Sequence, residues 1–280
     1  MRSRLILSAL TSLSVLVGQV SFSTTNVHTA NEATSVFAAD MDNDGDMDII
    51  YSSFRNGGIG WLENTGAAGH QKFTNSCIDC GGDSGWSSVF AADMDNDGDM
   101  DIVAALFIAK KIQWFENDGS SDPTWTQAAD ISTAAKEYTD VFAADMDNDG
   151  DMDIVSSSYN GSIEWYENNG ATDPSFTINE IGSELALSVF AADMDNDGDM
   201  DIVVGHYKER FDDPFYWYEN NGAIDPSFTI NEIGGGSGSV KSVFAADMDN
   251  DGDMDIVSAS YNDDTIAWYE NNGAADPSFS

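Results

Sequence analysis

One nine-residue string recurs five times without a change, first as DMDNDGDMD at residues 40–48. The other copies begin at Asp93, Asp145, Asp193 and Asp247, at intervals of 53, 52, 48 and 54 residues. Self-similarity at such a period indicates that one supersecondary unit is repeated along the chain. The fold therefore depends on what one repeat can form and on how its copies pack together.

Each repeat contains four short segments rich in β-branched and aromatic residues. Val-Phe-Ala-Ala precedes the acidic string and Ile-Val-Ser-Ala-Ser-Tyr follows it, and then come Ile-Ala-Trp-Tyr-Glu and Phe-Thr-Ile-Asn-Glu. Gly, Asn, Asp and Pro bound these segments, as is typical of short strands joined by turns. No segment after residue 20 shows a sustained helical apolar period, so we expect almost no helix.

Four short antiparallel strands at this period predict an all-β protein, a β-propeller with four-stranded blades, one blade per repeat. A string of separate small β domains is a second interpretation. A unit of this size can hardly bury a core alone, however, so the propeller is preferred.

The two chain ends bear on how the propeller closes. Residues 1–20 have Arg2 and Arg4 followed by an apolar stretch at residues 5–18, which predicts a secretory signal peptide too short to span a bilayer. Residues 21–28 align with the fourth strand of a repeat, and the last repeat stops where its own fourth strand should begin. We expect this N-terminal strand to complete the last blade, giving a five-bladed propeller over residues 21–280. The alternative is a fragment of a larger propeller.

The charge of the chain is local rather than general. Fifty Asp and Glu residues against ten Lys and Arg give a formal net charge of −40, which is opposite to what a nucleic-acid-binding protein needs. The five acidic strings hold 25 of those 50 acids, so the rest of the chain is only mildly acidic. Such concentrated carboxylates must bind cations or repel one another.

The spacing within the string is that of an oxygen-lined cage for a hard cation. Alternate residues point inward, Gly at position 6 permits a sharp turn, and position 7 offers its backbone carbonyl, which together suit Ca²⁺. An EF-hand would need Glu at position 12 and flanking helices, and no copy has either. Zn²⁺ would need Cys or His, of which the chain has two and three, none near the strings. Mg²⁺ prefers fewer carboxylates.

We therefore predict about one Ca²⁺ per repeat. The candidate ligands are the five aspartates of each copy, the fourth acting through its carbonyl: Asp40, Asp42, Asp44, Asp46 and Asp48; Asp93, Asp95, Asp97, Asp99 and Asp101; Asp145, Asp147, Asp149, Asp151 and Asp153; Asp193, Asp195, Asp197, Asp199 and Asp201; Asp247, Asp249, Asp251, Asp253 and Asp255.

A strand, the pattern D-x-D-x-D-G-D-x-D and a second apolar strand together resemble the calcium-binding FG-GAP/VCBS repeats of bacterial secreted proteins. These repeats are related to those of the integrin alpha-subunit propeller. The resemblance covers nearly all of residues 22–280, although the Phe-Gly and Gly-Ala-Pro dipeptides of the integrin version are missing. It implies that the acidic loop joins the first and second strands of each blade. It also implies a role in cell-surface adhesion or carbohydrate recognition.

Calcium at such sites would stabilise the fold substantially. Extracellular calcium modules bind with a Kd of about 10⁻⁴ to 10⁻³ M. Calcium at about tenfold over Kd stabilises by roughly 1.4 kcal/mol per site. Five sites would add about 7 kcal/mol, comparable with the stability of a whole domain, about 5 to 15 kcal/mol. We therefore expect the calcium to be structural.

Departures from the repeat fall mostly on the face opposite the calcium loops, which we predict to be the contact surface. The unique residues there are Cys77, Cys80 and Trp86 within residues 75–88, Lys110 and Lys111 in the second repeat, and Lys208 and Arg210 in the fourth. The two cysteines are expected to form a short local disulfide or to remain two idle thiols. The alternative is that these loops tolerate sequence variation without having a role in binding.

The function predicted from the sequence is that of a secreted, calcium-stabilised binding or adhesion module for a glycan or a protein surface, with no membrane span. It is not expected to be an enzyme, because His28, His70 and His206 lie in unrelated contexts without a recognisable nucleophile motif. The alternatives are a polysaccharide lyase or hydrolase with unique acid, base or Arg residues at one place, and a structural repeat fragment. The repeated Trp residues are expected to pack between blades, although exposed ones would suit sugar stacking.

Overall fold

The computed structural model describes residues 26–54, 58–66, 72–80, 85–128, 130–132, 134–207, 215–234, 239–275 and 277–279. This part of the chain is all-β and contains no helix, and thus none that could cross a membrane. The predicted signal peptide at residues 1–20 lies outside the described residues and stays a prediction.

The strands are short and follow one another at the rhythm of the repeat. In chain order they are β1 (Ala33–Ala39), β2 (Asp48–Ser53), β3 (Gly58–Asn64), β4 (Phe73–Asp79), β5 (Trp86–Ala92), β6 (Asp101–Leu106), β7 (Lys111–Asn117), β8 (Trp125–Gln127), β9 (Tyr138–Ala144), β10 (Asp153–Ser158), β11 (Ser162–Asn168), β12 (Phe176–Gly182), β13 (Ala186–Ala192), β14 (Asp201–His206), β15 (Phe215–Asn220), β16 (Phe228–Gly234), β17 (Val240–Ala246), β18 (Asp255–Ser260) and β19 (Thr265–Tyr269).

These strands form five antiparallel sheets, each a meander of consecutive strands. Blades 1 to 4 are β1–β4, β5–β8, β9–β12 and β13–β16, and blade 5 is β17–β19. The first strands of consecutive blades contact one another, so they form the inner layer of the propeller. The all-β prediction and the five-bladed propeller are thus confirmed.

A row of side chains crosses each sheet in register. In blade 3, Val155 pairs with Phe142 on one side and with Trp165 on the other, so the three side chains share a face. The inner-strand phenylalanines of consecutive blades stack with ring centroids 4.4 to 4.7 Å apart. The repeated Val-Phe-Ala-Ala segment therefore builds a continuous aromatic ladder along the inner layer.

Consecutive blades pack face to face, and each of the four junctions holds its own hydrophobic cluster. We call the side that a blade turns toward the next blade in the chain its front face, and the opposite side its back face. Between blades 3 and 4, the front face contributes Met146, Ile163 and Trp165, and the back face contributes Val189 and Tyr218. Burying each such side chain stabilises the fold by about 1.5 to 3 kcal/mol. The junctions are therefore the core of this protein.

The repeated Trp packs in these junctions, as predicted, in the first four blades. Trp61, Trp114, Trp165 and Trp217 are all buried there. Trp268 occupies the same position in blade 5 but is 47% exposed. It is exposed because the structure describes no blade in front of it.

The N-terminal strand predicted to close the last blade falls mostly outside the described residues, so this closure stays a prediction. Residues 26–30 form no strand, and the His28 ring lies against Tyr51 of blade 1, with Nε2 3.1 Å from the Tyr51 hydroxyl. Val27 and His28 line an apolar groove on the back face of blade 1, against which the described part of the chain packs no other blade. Blade 5 keeps three described strands, and only a single bridge from Asn271 to Phe279 marks the start of a fourth. Residues 21–25 lie outside the described part.

A matched pair of isoleucines tests the claim that the junctions carry the stability. Ile163 is fully buried between blades 3 and 4, whereas Ile224 is 85% exposed in a turn of blade 4. We expect Ile163→Ala to lower the free energy of unfolding by about 2 to 5 kcal/mol and Ile224→Ala to change it by less than about 0.5 kcal/mol. Urea unfolding followed by Trp fluorescence measures both, and equal costs would contradict this description of the core.

Candidate metal centres and the opposite turn face

Each acidic string forms the loop between the first and second strands of its blade. The sharp turn rests on two residues with left-handed backbones. The fourth residue is always Asn, with φ between 58° and 65°, and the sixth is always Gly, with φ between 91° and 100°. Asn tolerates this region and Gly enters it without steric cost. A Cβ at the Gly would meet nothing within 4 Å, so the backbone angle and not space requires it.

Carboxylates converge inside every one of the five loops. In each loop three aspartates offer oxygens that lie within 4.8 Å of one another and could hold a metal ion. The sets are Asp40, Asp42 and Asp48; Asp93, Asp95 and Asp101; Asp145, Asp147 and Asp153; Asp193, Asp195 and Asp197; Asp247, Asp249 and Asp251. Positions 1 and 3 thus meet in all loops, joined by position 9 in the first three and by position 5 in the last two.

The first aspartate holds the loop in shape from within. In loop 3, Asp145 accepts the backbone N–H of Asp149 (3.1 Å) and that of Gly150 (3.0 Å). Asp147 accepts the Asp149 N–H as well, at 3.2 Å. These bonds curl the backbone around the carboxylates, and the other loops repeat the pattern.

The aspartate at position 9 of each acidic string is buried and anchors its loop. Asp153 begins β10 and is fully buried, where one oxygen accepts the Met146 N–H (3.1 Å) and the other accepts the Asn168 N–H at the end of β11 (2.7 Å). In blade 1 the equivalent Asp48 also accepts the Trp61 indole N–H at 3.1 Å. This side chain therefore ties the acidic loop to the third strand of its own blade.

Crowding and burial disfavour the ionised carboxylates. Burial, followed by the charges of Asp44 and Asp48, raises the pKa of Asp42 to about 6. Burial also raises the pKa of Asp101 and Asp153 to about 7 each, against the opposing effect of their backbone hydrogen bonds. A divalent cation among these oxygens would offset the repulsion between them.

The donor set fits a hard cation and no other class of metal. All converging atoms are carboxylate oxygens, with no His or Cys in any of the five clusters. Three of the five predicted aspartates thus converge in each loop and could hold a metal ion, whereas their binding of an ion stays a prediction.

The aspartate at position 7 is predicted to bind the ion through its backbone carbonyl. Its side chain points to the neighbouring loop. Asn43 donates its side-chain amide to Asp99 of the next loop (2.6 Å), and Asn196 donates to Asp253 (2.7 Å). The same bond joins loops 2 and 3 and loops 3 and 4. Position 7 thus links neighbouring candidate metal centres, a role that the sequence of one repeat could not indicate because the partner lies one repeat away.

The third-to-fourth turns of blades 2 to 5 pack on the same face. At Gly170 the φ of 62° favours Gly, and an added Cβ would lie 1.9 Å from an oxygen of Asp151, whose side chain would have to move. At the end of the third strand, Asn168 donates to the Met94 carbonyl of the preceding loop at 2.8 Å. The Asn-Asn-Gly turn therefore braces two consecutive acidic loops.

The opposite face carries a feature that the sequence analysis did not single out. An aromatic residue directly follows the second strand of every blade, and the rings of the first four blades contact one another in turn. These residues are Phe54, Phe107, Tyr159, Tyr207 and Tyr261. Ring centroids are 6.2, 6.1 and 5.3 Å apart along the first four, and the Lys241 amine lies 5.9 Å from the Tyr207 ring and 5.6 Å from the Tyr261 ring. The sequence signal for this feature is an aromatic residue that recurs at the same position of every repeat. We call this set the aromatic row.

Two of the four basic residues predicted on this face form ion pairs within the protein. Lys110 pairs with Glu137 at 3.1 Å, and Lys111 pairs with Asp130 at 2.6 Å. Lys208 and Arg210 lie outside the described residues, so their role stays a prediction.

The segment around the cysteines differs from the loop that we expected. Cys77 lies in β4 and forms a disulfide with Cys80, which settles the earlier alternative in favour of the bond. Trp86 is the first residue of β5 and is buried in the junction between blades 1 and 2. It is a core residue and not part of a contact surface, because its side chain points toward the back face of blade 2.

Other unique charged groups are satisfied within the protein. Lys136 pairs with Glu164 (2.6 Å), which also accepts the Tyr166 hydroxyl (2.7 Å). Asp140, at an inner-strand position that is Ser in the other blades, accepts the hydroxyls of Ser88 (2.6 Å) and Ser188 (3.0 Å). Burial raises the pKa of Asp140. This carboxylate links the inner strands of three consecutive blades.

Comparison with known proteins agrees with this geometry. The FG-GAP-like repeat matches residues 40–104, 105–156, 145–204 and 210–258, which together make up most of the chain. No curated protein matches the sequence. The repeated acidic loops, the four-stranded blades and these four matches together show that the chain belongs to the FG-GAP-like repeat family.

Proposed function

We propose that this protein is an extracellular binding module whose propeller is stabilised by calcium and whose contact surface is the aromatic row. The observation that carries the proposal is the division of labour between the two faces. One face gathers five oxygen-only clusters, and the other presents aromatic rings next to a lysine.

Calcium is the ion that best suits the acidic loops. Ca²⁺ accepts several carboxylates and backbone carbonyls in a flexible shell, whereas Mg²⁺ retains waters and prefers fewer carboxylates. When bound, the ion would neutralise part of the formal net charge of −40 and hold together carboxylates that otherwise repel one another. The residues that would hold it are the converging aspartates and the carbonyl at position 7.

The proposed ligand is a glycan chain or a protein surface, bound without a reaction. Aromatic rings supply large contact area at low entropic cost, and Tyr hydroxyls add hydrogen bonds, so such residues are enriched at binding surfaces. A row that repeats once per blade favours a ligand that is itself repetitive, such as a polysaccharide. Lys110 and Lys111 both form ion pairs within the protein. A lyase or hydrolase would need unique acid, base or Arg side chains that are available to the substrate, so these pairs favour binding over catalysis.

Secretion is part of the proposal. FG-GAP repeats are typical of extracellular proteins, and the Cys77–Cys80 disulfide suits an oxidising compartment. The signal peptide predicted at residues 1–20 agrees with both.

Removal of calcium tests the structural role of the ion. We expect chelation to lower the thermal midpoint strongly, because about five sites at roughly 1.4 kcal/mol each approach the stability of the whole fold. Differential scanning calorimetry with calcium, with magnesium and with chelator measures this. A midpoint that is the same under all three conditions would contradict the proposal.

A single loop variant separates the metal role from an ordinary structural one. Burial and the charges of Asp149 and Asp145 raise the pKa of Asp147, so Asp147→Asn should leave the metal-free protein equally or more stable. Calcium should stabilise the same variant by roughly 1.4 kcal/mol less than it stabilises the parent protein, because one site is lost. Asp225→Asn, an equal charge change at an exposed turn residue, is the control and should keep the full calcium gain. An undiminished gain in Asp147→Asn would count against a metal site in that loop.

The aromatic row is tested by two exposed tyrosines. Tyr159 is 37% exposed and Tyr261 is 70% exposed, so replacing both with Ala should leave the fold intact while weakening ligand binding at least tenfold. The measurement is a glycan array followed by titration calorimetry on the strongest hit, both in calcium. Ile224 lies in a turn on the same face as the acidic loops, so the Ile224→Ala variant should bind the ligand normally. Unchanged affinity in the double tyrosine variant would remove the aromatic row as the contact surface.

A further inference from the structure

The two outermost blade faces are the exposed halves of one repeated junction. On the front face of blade 5, Ile266 is 81% exposed, Phe244 is 53% and Met248 is 51%. On the back face of blade 1, Val36 is 68% exposed, and Tyr51 lines the apolar groove beside it. Contiguous apolar surface of this kind on a protein marks an interaction site.

The internal junctions specify what fits each of these faces. Met146 and Ile163 of blade 3 occupy the repeat positions of Met248 and Ile266, and they pack against Val189 of blade 4, which occupies the repeat position of Val36. The same three positions meet in the junction between blades 1 and 2, as Met41, Ile59 and Val89. The front face of blade 5 therefore has the chemistry that the back face of blade 1 is built to receive.

A polar link completes the match. In all four internal junctions the Asn at position 4 of one acidic loop donates to the Asp at position 7 of the next. Asn250 of blade 5 and Asp46 of blade 1 are the two members of this pattern that no neighbouring loop completes within the described chain. They lie on the calcium-loop side of the two exposed faces, where the link would form if those faces met.

The described part of the chain does not bring the two faces together itself. Among the described residues, the hydrophobic clusters join blades 1 to 2, 2 to 3, 3 to 4 and 4 to 5, and none joins blade 5 to blade 1. A junction between two different patches is heterologous, so it builds head-to-tail rings or open arrays rather than a two-fold dimer.

We propose that the front face of blade 5 docks on the back face of blade 1 of a second copy of this chain, so that the protein associates head to tail. The occupant is a second copy because it presents the same side chains, in the same repeat register, as the four junctions already formed within the chain. The new contact extends the stack of blades by repeating an interface that the sequence has built four times.

The experiment uses one charged variant for each face. Val36→Asp blocks the back face and Ile266→Asp blocks the front face, and both side chains are exposed enough for the single chain to fold with the substitution. Ile224→Asp places the same charge on an exposed isoleucine away from both faces and is the control. Circular dichroism and the thermal midpoint in calcium verify that all three fold, and sedimentation velocity over a concentration series gives the assembly state.

We expect the parent protein and the Ile224→Asp control to form dimers and larger species as concentration rises. Each blocked variant alone should weaken association at least tenfold. An equimolar mixture of the two blocked variants should form a heterodimer that grows no further, because Val36→Asp retains its front face and Ile266→Asp retains its back face. Only a head-to-tail contact predicts that rescue.

Three results would overturn the proposal. A parent protein that is monomeric at all concentrations, with both blocked variants less thermostable, would mean that the chain closes its own ring. A monomer destabilised by Val36→Asp alone would mean that another segment of the chain covers the back face. Association lost in Ile266→Asp but kept in Val36→Asp would mean a symmetric contact between two front faces.

Discussion

The buried aspartate at the end of each acidic loop is the interaction on which the rest of the structure depends. Asp153 and its equivalents fix the start of the second strand, hold the end of the third strand and, in the first three loops, complete the carboxylate cluster. Removing such a group from water is costly unless its oxygens find donors. Backbone N–H groups supply those donors, so the loop cannot change shape without disturbing its blade.

The candidate metal centres and the hydrophobic core are directly connected through the acidic strings. The second residue of each acidic string is Met, and Met41, Met94, Met146 and Met194 are fully buried in the junctions. The residue on either side of it is a candidate metal ligand. An ion that orders the loop also orders the Met, and thereby the packing of one blade on the next. This coupling is the physical reason to expect the ion to stabilise the whole propeller and not only its own loop.

The two faces of the propeller are under different constraints. On the acidic face the Asn-to-Asp links join consecutive acidic loops, and in blades 2 to 5 a Gly turn approaches the aspartate at position 7. Repetition there is needed because each loop must fit the next. On the opposite face the ring contacts of the aromatic row join consecutive blades, and such contacts tolerate exchange between Phe and Tyr. A surface that is free to vary on a rigid scaffold is where recognition can evolve.

The sequence by itself determined the blade. Five identical strings, four strand segments per repeat and a Trp at a constant offset predict the propeller and the aspartate clusters, because these depend on short-range spacing that one repeat contains. It did not predict which side chains join neighbouring repeats, such as Asn43 with Asp99, nor that Trp86 is core. Nor did it predict where residues 26–30 go. Val27 and His28 remain exposed and line the apolar groove on the back face of blade 1. Only the tertiary structure decided these points, because an identical residue such as Trp165 or Trp268 is core or surface according to whether another blade stands in front of it.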